Sequence, residues 1–401
     1  MVATMPAVNP DVLIWARESA GLDLETAARR LGIKETKTAL PQEKLQRYEE
    51  GAKEPSRSLI LKMAAQYRRP LLAFYLREPP KAGDRGEDYR TLTHDVDPAQ
   101  NAIVDALVRS VRARQEIIKD ALISAQDREP LAFVGSAELE AGSTALASQI
   151  IASSGFERET YRKAGSQEEA FQYLRSRVEG TGVFTLLVGN LGSHHTNIGV
   201  EEFRGFALAD EIAPFIVIND QDAKVAWSTT LLHELAHLWI GETGISGRSI
   251  ERTVEKFCNE VASEVLLPEA ELEERFPFDS LAETSAAISE IDDFAKRCKV
   301  SSRLVAFRLL RRNKISSADY GVLDTHFQQR YENAKAEAKS RAKANEGGPS
   351  YYVVRRHRLG AALLSTSERL LRSGELSTTR VATLLGVRAL NVEKLLQASR
   401  A

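Results

Sequence analysis

The sequence predicts an α+β protein, mostly helical and built from several domains. Three observations carry this. The chain has 401 residues, more than one domain usually holds. Apolar residues recur at helical spacing along most of it, between glycine and proline stops. Strand-like runs are confined to one stretch between residues 182 and 220. The expected architecture is an N-terminal helical bundle over 1–80, a core with a small sheet over 81–320, a helical linker over 321–349 and a helical C-terminal domain over 350–401.

The bundle is read helix by helix. "PDVLIWARESAG" stops at Gly21, and "DLETAARRLG" runs from Asp23 as N-cap to Gly32. "PQEKLQRYEEG" has Pro41 in its first turn and Gly51 past its end. "SRSLILKMAAQYRRP" gives a fourth helix, "LLAFYLREPP" closes the unit, and "KAGDRGED" reads as a linker. In the core, a long amphipathic helix is expected over 101–125, then helices at "LASQIIASSG" and "SQEEAFQYLRSRV". Strands are expected at "GVFTLLVG" (182–189), "FRGFALAD" (203–210) and "APFIVIND" (213–220). Residues 250–314 return to helix, and "AKAEAKSRAKANEGG" reads as an exposed helix leading to the tail.

Composition narrows the setting. No apolar run approaches the roughly 18 residues of a membrane span, and the N-terminus lacks a signal-peptide pattern. Cys258 and Cys298 allow at most one disulfide, so a cytoplasmic protein is expected, without a membrane partner. Net charge is −2 but unevenly spread. Residues 1–80 hold 13 Lys and Arg against 10 Asp and Glu, and residues 335–401 hold 13 against 5. The basic ends point either to an anionic partner or to solvated faces.

One stretch carries chemistry. In "STTLLHELAHLWIG", Ser228 is read as the cap of a helix that Gly241 ends. Leu231, Leu235 and Leu238 share a core face. His233 and His237, four residues apart, stack on another face and can bind one metal ion. Glu234, one residue along, is placed as general base toward a metal-bound water. Chance produces the pattern in roughly one chain in a hundred of this length.

A catalytic zinc takes three protein ligands and keeps one position open. "SIERTVEKFCNEVASEVLLP" is an amphipathic helix whose apolar face is Val254, Phe257, Val261 and Val265. Glu255 and Asn259 lie four apart on the next stripe. That spacing offers Glu255 as third ligand and Asn259 as hydrogen-bond partner of a ligand histidine. Spacing alone also allows Glu255 to be a surface carboxylate. Cys258 falls at a core position and is read as a small buried hydrophobe. The donor set suits Zn²⁺ and does not exclude Mn²⁺ or Fe²⁺.

These segments, with "DYRTL" at 88–92, resemble the ImmA/IrrE metallopeptidases over roughly residues 85–320. The resemblance implies a gluzincin-type zinc endopeptidase. It maps His233 and His237 to metal ligands, Glu234 to the catalytic base and Glu255 to the third ligand. The chain departs from many relatives at Ser228–Thr230 and at "WIGETG", where a further histidine is common. His194 and His195 are offered either as an oxyanion donor or substrate contact, or as an ordinary polar loop. His94, His326 and His357 are read as surface or packing residues.

The N-terminal unit resembles the XRE (phage-repressor) helix-turn-helix family through "LDLETAARRLGI", "KLQRYEEGAKEPS" and "LILKMAAQYRRP". Gln42, Lys44 and Arg47 are the candidate DNA contacts, with Glu43 and Glu49 opposing phosphate. "KETKTAL" lengthens the turn beyond the usual few residues, so a docking module is the other reading. In the tail, Ala382, Gly386 and Val392 have helix-turn-helix spacing behind Ser377 as cap. Arg355, Arg356 and Arg358 are its candidate DNA contacts, and a helical tail packed on the core is the alternative. Residues 291–313 have a similar shape and are read as structural support. The expected function is cleavage of a protein substrate, a transcriptional repressor by the resemblance, in gene regulation with possible DNA binding. The alternative is a DNA-binding regulator or antitoxin-like protein whose peptidase domain senses rather than cuts.

Overall fold

The computed structural model describes residues 7–80, 98–192, 196–241, 249–277, 284–344 and 350–397. The "DYRTL" segment, His94, His194 and His195 lie outside them. The chain forms two compact units, residues 1–110 with 190–198, and residues 111–189 with 199–401.

The first unit contains α1 (Pro10–Glu18), α2 (Leu24–Leu31), α3 (Pro41–Glu49) and α4 (Arg57–Gln66), followed by a 3₁₀ turn at Leu71–Tyr75. Asp23 caps α2 by accepting from the Thr26 amide at 2.7 Å, and Gly32 ends it in the left-handed conformation. The residues between α2 and α3 close into a turn in which Thr36 and Ala39 pair. Leu13, Ala28, Leu31, Leu45, Met63 and Phe74 are fully buried at its centre. Arg17 and Glu49 are buried there as an ion pair at 2.8 Å.

The second unit is mostly helical around one small sheet. Its helices begin with the later part of α5 (Pro98–Ser124), then α6 (Ser143–Ser154), α7 (Arg158–Lys163) and α8 (Gln167–Gly180). The strands are β1 (Phe184–Leu187), β2 (Gly205–Leu208) and β3 (Phe215–Ile218), in order β1-β3-β2. β1 runs parallel to β3 with Phe184 opposite Phe215, and β2 runs antiparallel with Gly205 opposite Ile218. All of β1 and β3 is buried, which explains their near-continuous apolar runs. α9 (Lys224–Ile240) lies against β2 and β3, and α10 (Ser249–Leu266) packs along α9 and α6. α11 (Glu269–Arg275), α12 (Thr284–Cys298), α13 (Ser302–Arg311) and the long α14 (Ser317–Ala344) follow, and Arg308 of α13 donates to Ser263 and Glu264 of α10, each at 2.8 Å. Both cysteines are buried free thiols.

The C-terminal helices α15 (Tyr351–Leu359), α16 (Ala361–Arg372), α17 (Thr378–Leu385) and α18 (Val392–Gln397) belong to this second unit, with α15 and α16 beside β1. One buried ion pair ties them in. Arg175 of α8 donates to Glu179 at 2.9 Å, to the His357 carbonyl at 2.6 Å and to the Thr185 carbonyl. The second Glu179 oxygen accepts from the amides of Ala361 and Ala362, each at 3.0 Å, at the start of α16. Gly360, at φ +80°, permits this approach, since a Cβ there would run into Glu179 and Arg175. Among the described residues, no helix is long and apolar enough to cross a membrane.

Candidate metal centre

α9 starts at Lys224, earlier than a Ser228 cap would place it. Asp222 accepts from the Ala223 amide at 2.8 Å at this end. Ser228 lies buried inside the helix, where its hydroxyl meets that of Tyr161. The added first turn puts Trp227 into the core, edge-on to Phe171 with ring centroids 5.3 Å apart. The far end agrees with the sequence, since Gly241 closes the helix at φ +81°. Leu231, Leu232, Leu235 and Leu238 are all buried, each contributing about 1.5–3 kcal/mol. α9 is therefore held almost all round, as a helix must be to fix polar groups within an apolar core.

Three side chains converge between α9 and α10. The Nε2 atoms of His233 and His237 face each other at 3.1 Å, with ring centroids 4.8 Å apart. From α10, Glu255 brings Oε1 to 3.0 Å from His237 Nε2 and Oε2 to 3.4 Å from His233 Nε2. With each neutral ring protonated on Nδ1, the two Nε2 atoms and the carboxylate aimed at one point are all acceptors, and that arrangement repels itself unless a cation or proton sits among them. Ligand atoms about 2.0–2.1 Å from a tetrahedral ion lie about 3.3 Å from one another, which is the spacing here. Among the described residues this is the single group of three His, Cys, Asp or Glu side chains placed to hold a metal ion.

Glu234 adjoins this group and is buried. Burial pushes its carboxyl above the ordinary glutamate range, His233 and His237 pull it down, and Glu255 adds a smaller upward push. Above it lies Gly205 at the start of β2. A Cβ there would stand 2.8 Å from Glu234 Oε1 and 2.7 Å from the Thr230 methyl, so only glycine lets the strand come this close. Gly205 was not singled out from sequence, although an isolated glycine in a strand signals such an approach.

Two expected supports fall differently. Asn259 is exposed and makes no hydrogen bond to a histidine among those described, while Cys258, one residue before it, is buried and hydrogen-bonded to the His237 ring. Burial pushes that thiol above its usual range, so it stays protonated. The His233 Nδ1 is buried without a hydrogen-bond partner among the described residues.

The candidate nucleic-acid contacts divide as well. On α3, Arg47 is exposed, Gln42 is half-buried, and Lys44 donates to the Lys34 carbonyl at 2.7 Å. Glu43 accepts from the Leu40 amide at 2.8 Å, and Glu49 is turned inward to Arg17. In the tail, Arg355 donates to the Leu385 carbonyl and Arg358 pairs with Asp220 at 2.6 Å. Arg356 is half-buried on α15.

Residues 193–310 match the family model Peptidase_M78, the IrrE N-terminal-like domain. The match spans α9, α10 and nearly all of α13, and so contains the whole convergent group. It supports a metal-dependent peptidase in this part of the chain. Searches of curated proteins and of solved structures found no match.

Proposed function

We propose that this protein is a zinc-dependent endopeptidase of gluzincin type, acting in the cytoplasm in gene regulation. The observation that carries the reading is the convergence of His233, His237 and Glu255 beside a buried Glu234. In this reading His233, His237 and Glu255 hold the ion. Zinc suits two imidazoles and a carboxylate, and Mn²⁺ or Fe²⁺ fit the same donors. When bound, such an ion acidifies water and polarises a peptide carbonyl. Glu234 does the proton work. Its carboxylate takes a proton from the attacking water and returns it to the leaving amine, a task favoured by burial that raises its proton affinity. Gly205 leaves the space that this carboxylate occupies. Cys258 steadies the His237 ring from behind.

The substrate proposed is a protein, specifically a transcriptional repressor. Support comes from the resemblance of the central region to the ImmA/IrrE peptidases, coupled to a repressor-like N-terminal unit. The test is to incubate the protein with repressors encoded beside it and look for discrete fragments that a chelator abolishes. Intact repressors with an active-site metal present would count against it.

A second reading is favoured by one observation, the inward turn of Glu49 to Arg17. One of the two acidic side chains that opposed phosphate on α3 is thus neutralised, and Arg47 is exposed to reach DNA. In this reading the protein is a DNA-binding regulator and its metal domain senses. Promoter binding that persists without any proteolysis would favour it.

A further inference from the structure

The second unit holds another charged cluster, away from the metal centre, that its own fold leaves open. Arg114 on α5 has a buried Nε without a hydrogen-bond partner among the described residues. The charge acting on its guanidinium is that of another cation, Arg355. Arg355 is accounted for, since it closes α17 by donating to the carbonyls of Leu385 at 2.6 Å and Gly386 at 3.1 Å. Arg358, one turn along α15, is taken by Asp220 at 2.6 Å. Arg114 has no such role. Burial pushes it down to about 10, with Arg355 adding, yet it stays cationic at neutral pH.

The two guanidinium groups meet at the Gly386 turn. A Cβ on Gly386 would lie 2.9 Å from Arg114 Nη2 and would press on Arg355 Nη2 as well. Gly386 and Arg388 are exposed, so this point opens to solvent. Two like charges brought together in a mostly buried place destabilise the fold unless something neutralises them. We propose that Arg114 and Arg355, at the Gly386 turn, form an anion site that takes a phosphate group. The open fork of Arg114, beside the positive charge of Arg355, suits a multiply charged phosphate oxyanion better than a singly charged carboxylate. The surroundings agree in sign, because residues 350–401 hold 9 Lys and Arg against 3 Asp and Glu. Free phosphate and a nucleic-acid backbone present the same group, and the experiment separates them.

The full-length protein is melted in sodium phosphate and in sodium chloride at matched ionic strength, beside Arg114→Met. Phosphate at ten times its dissociation constant should raise the parent's melting temperature by about 2 °C and leave the variant unmoved. In chloride the variant should melt no lower than the parent, because a cation without a partner has been removed. Equal melting in both salts, equal protection of the variant, or a variant unfolded in chloride would each overturn the proposal. A duplex of about 20 base pairs, roughly two helical turns, then identifies the source of the phosphate. Duplex binding that inorganic phosphate displaces and Arg114→Met loses assigns the site to a nucleic-acid backbone. Phosphate protection without such binding assigns it to a small anion.

Discussion

Two buried polar clusters in the second unit invite comparison, the Arg175–Glu179 pair and the His233–His237–Glu255 group with Glu234. Around Arg175 the accounting closes. Its three nitrogens donate to Glu179 and to the carbonyls of Thr185, His357 and Arg358, and Glu179 accepts two amides in return. Around His233 it does not close. Two ring nitrogens and a carboxylate face one another at 3.0 to 3.4 Å, and a further, buried ring nitrogen has no partner among the described residues. Each cluster joins separate elements, α8 to the C-terminal helices in one case and α9 to α10 in the other. The satisfied cluster holds architecture together, and the unsatisfied one is shaped for something the chain does not itself supply.

The comparison breaks most sharply at Arg175. Arg175→Met leaves Glu179 buried without its partner and should cost about 3–5 kcal/mol of unfolding free energy in a urea titration. A loss below 1 kcal/mol would mean that the pair is dispensable. Next comes Glu234→Gln, which keeps shape and removes the base. It should retain metal and fold while cutting the substrate at least about a hundredfold more slowly, by single-turnover assay. Parental cleavage by that variant would contradict the assigned role. Gly205→Ala sharpens the contrast between ligands and base, because the atoms nearest its Cβ belong to Glu234 and Thr230. It should cost about 1–3 kcal/mol in stability and slow cleavage with metal content unchanged. The smallest effect belongs to the first unit, where Asp23→Ala removes the α2 cap and should cost about 1 kcal/mol. Unfolding in urea measures that loss, and an unchanged midpoint would mean that the cap is dispensable.

Much of this was legible in the sequence where periodicity and caps act locally. All three strands fall within the runs expected of them, and Asp23, Gly32, Gly241 and Ser377 stand at helix ends as read. The shared face of His233 and His237 was also legible, because spacing of four on a helix fixes it, whereas spacing left Glu255 either a ligand or a surface carboxylate and the packing of α10 on α9 brings it to them. What failed depended on the third dimension. The start of α9 moved back because Trp227 is wanted in the core. Helix spacing offered Cys258 and Asn259 as neighbours of Glu255 on either side, and only packing decides that Cys258 meets His237. Gly205 faces Glu234 across a gap that sequence distance does not reveal. The Arg175–Glu179 pair, four residues apart on α8, was not singled out from sequence, because the groups that enclose it belong to α15 and α16, far along the chain.

The central claim is that His233, His237 and Glu255 hold a metal ion, and metal content measures it most directly. Elemental analysis of the purified parent should find about one zinc-class ion per chain, and His233→Ala should lose it. The variant's circular dichroism, taken alongside, checks that the loss is local and not global unfolding. If folded His233→Ala retains as much metal as the parent, the ion is bound elsewhere and the account of this site is wrong.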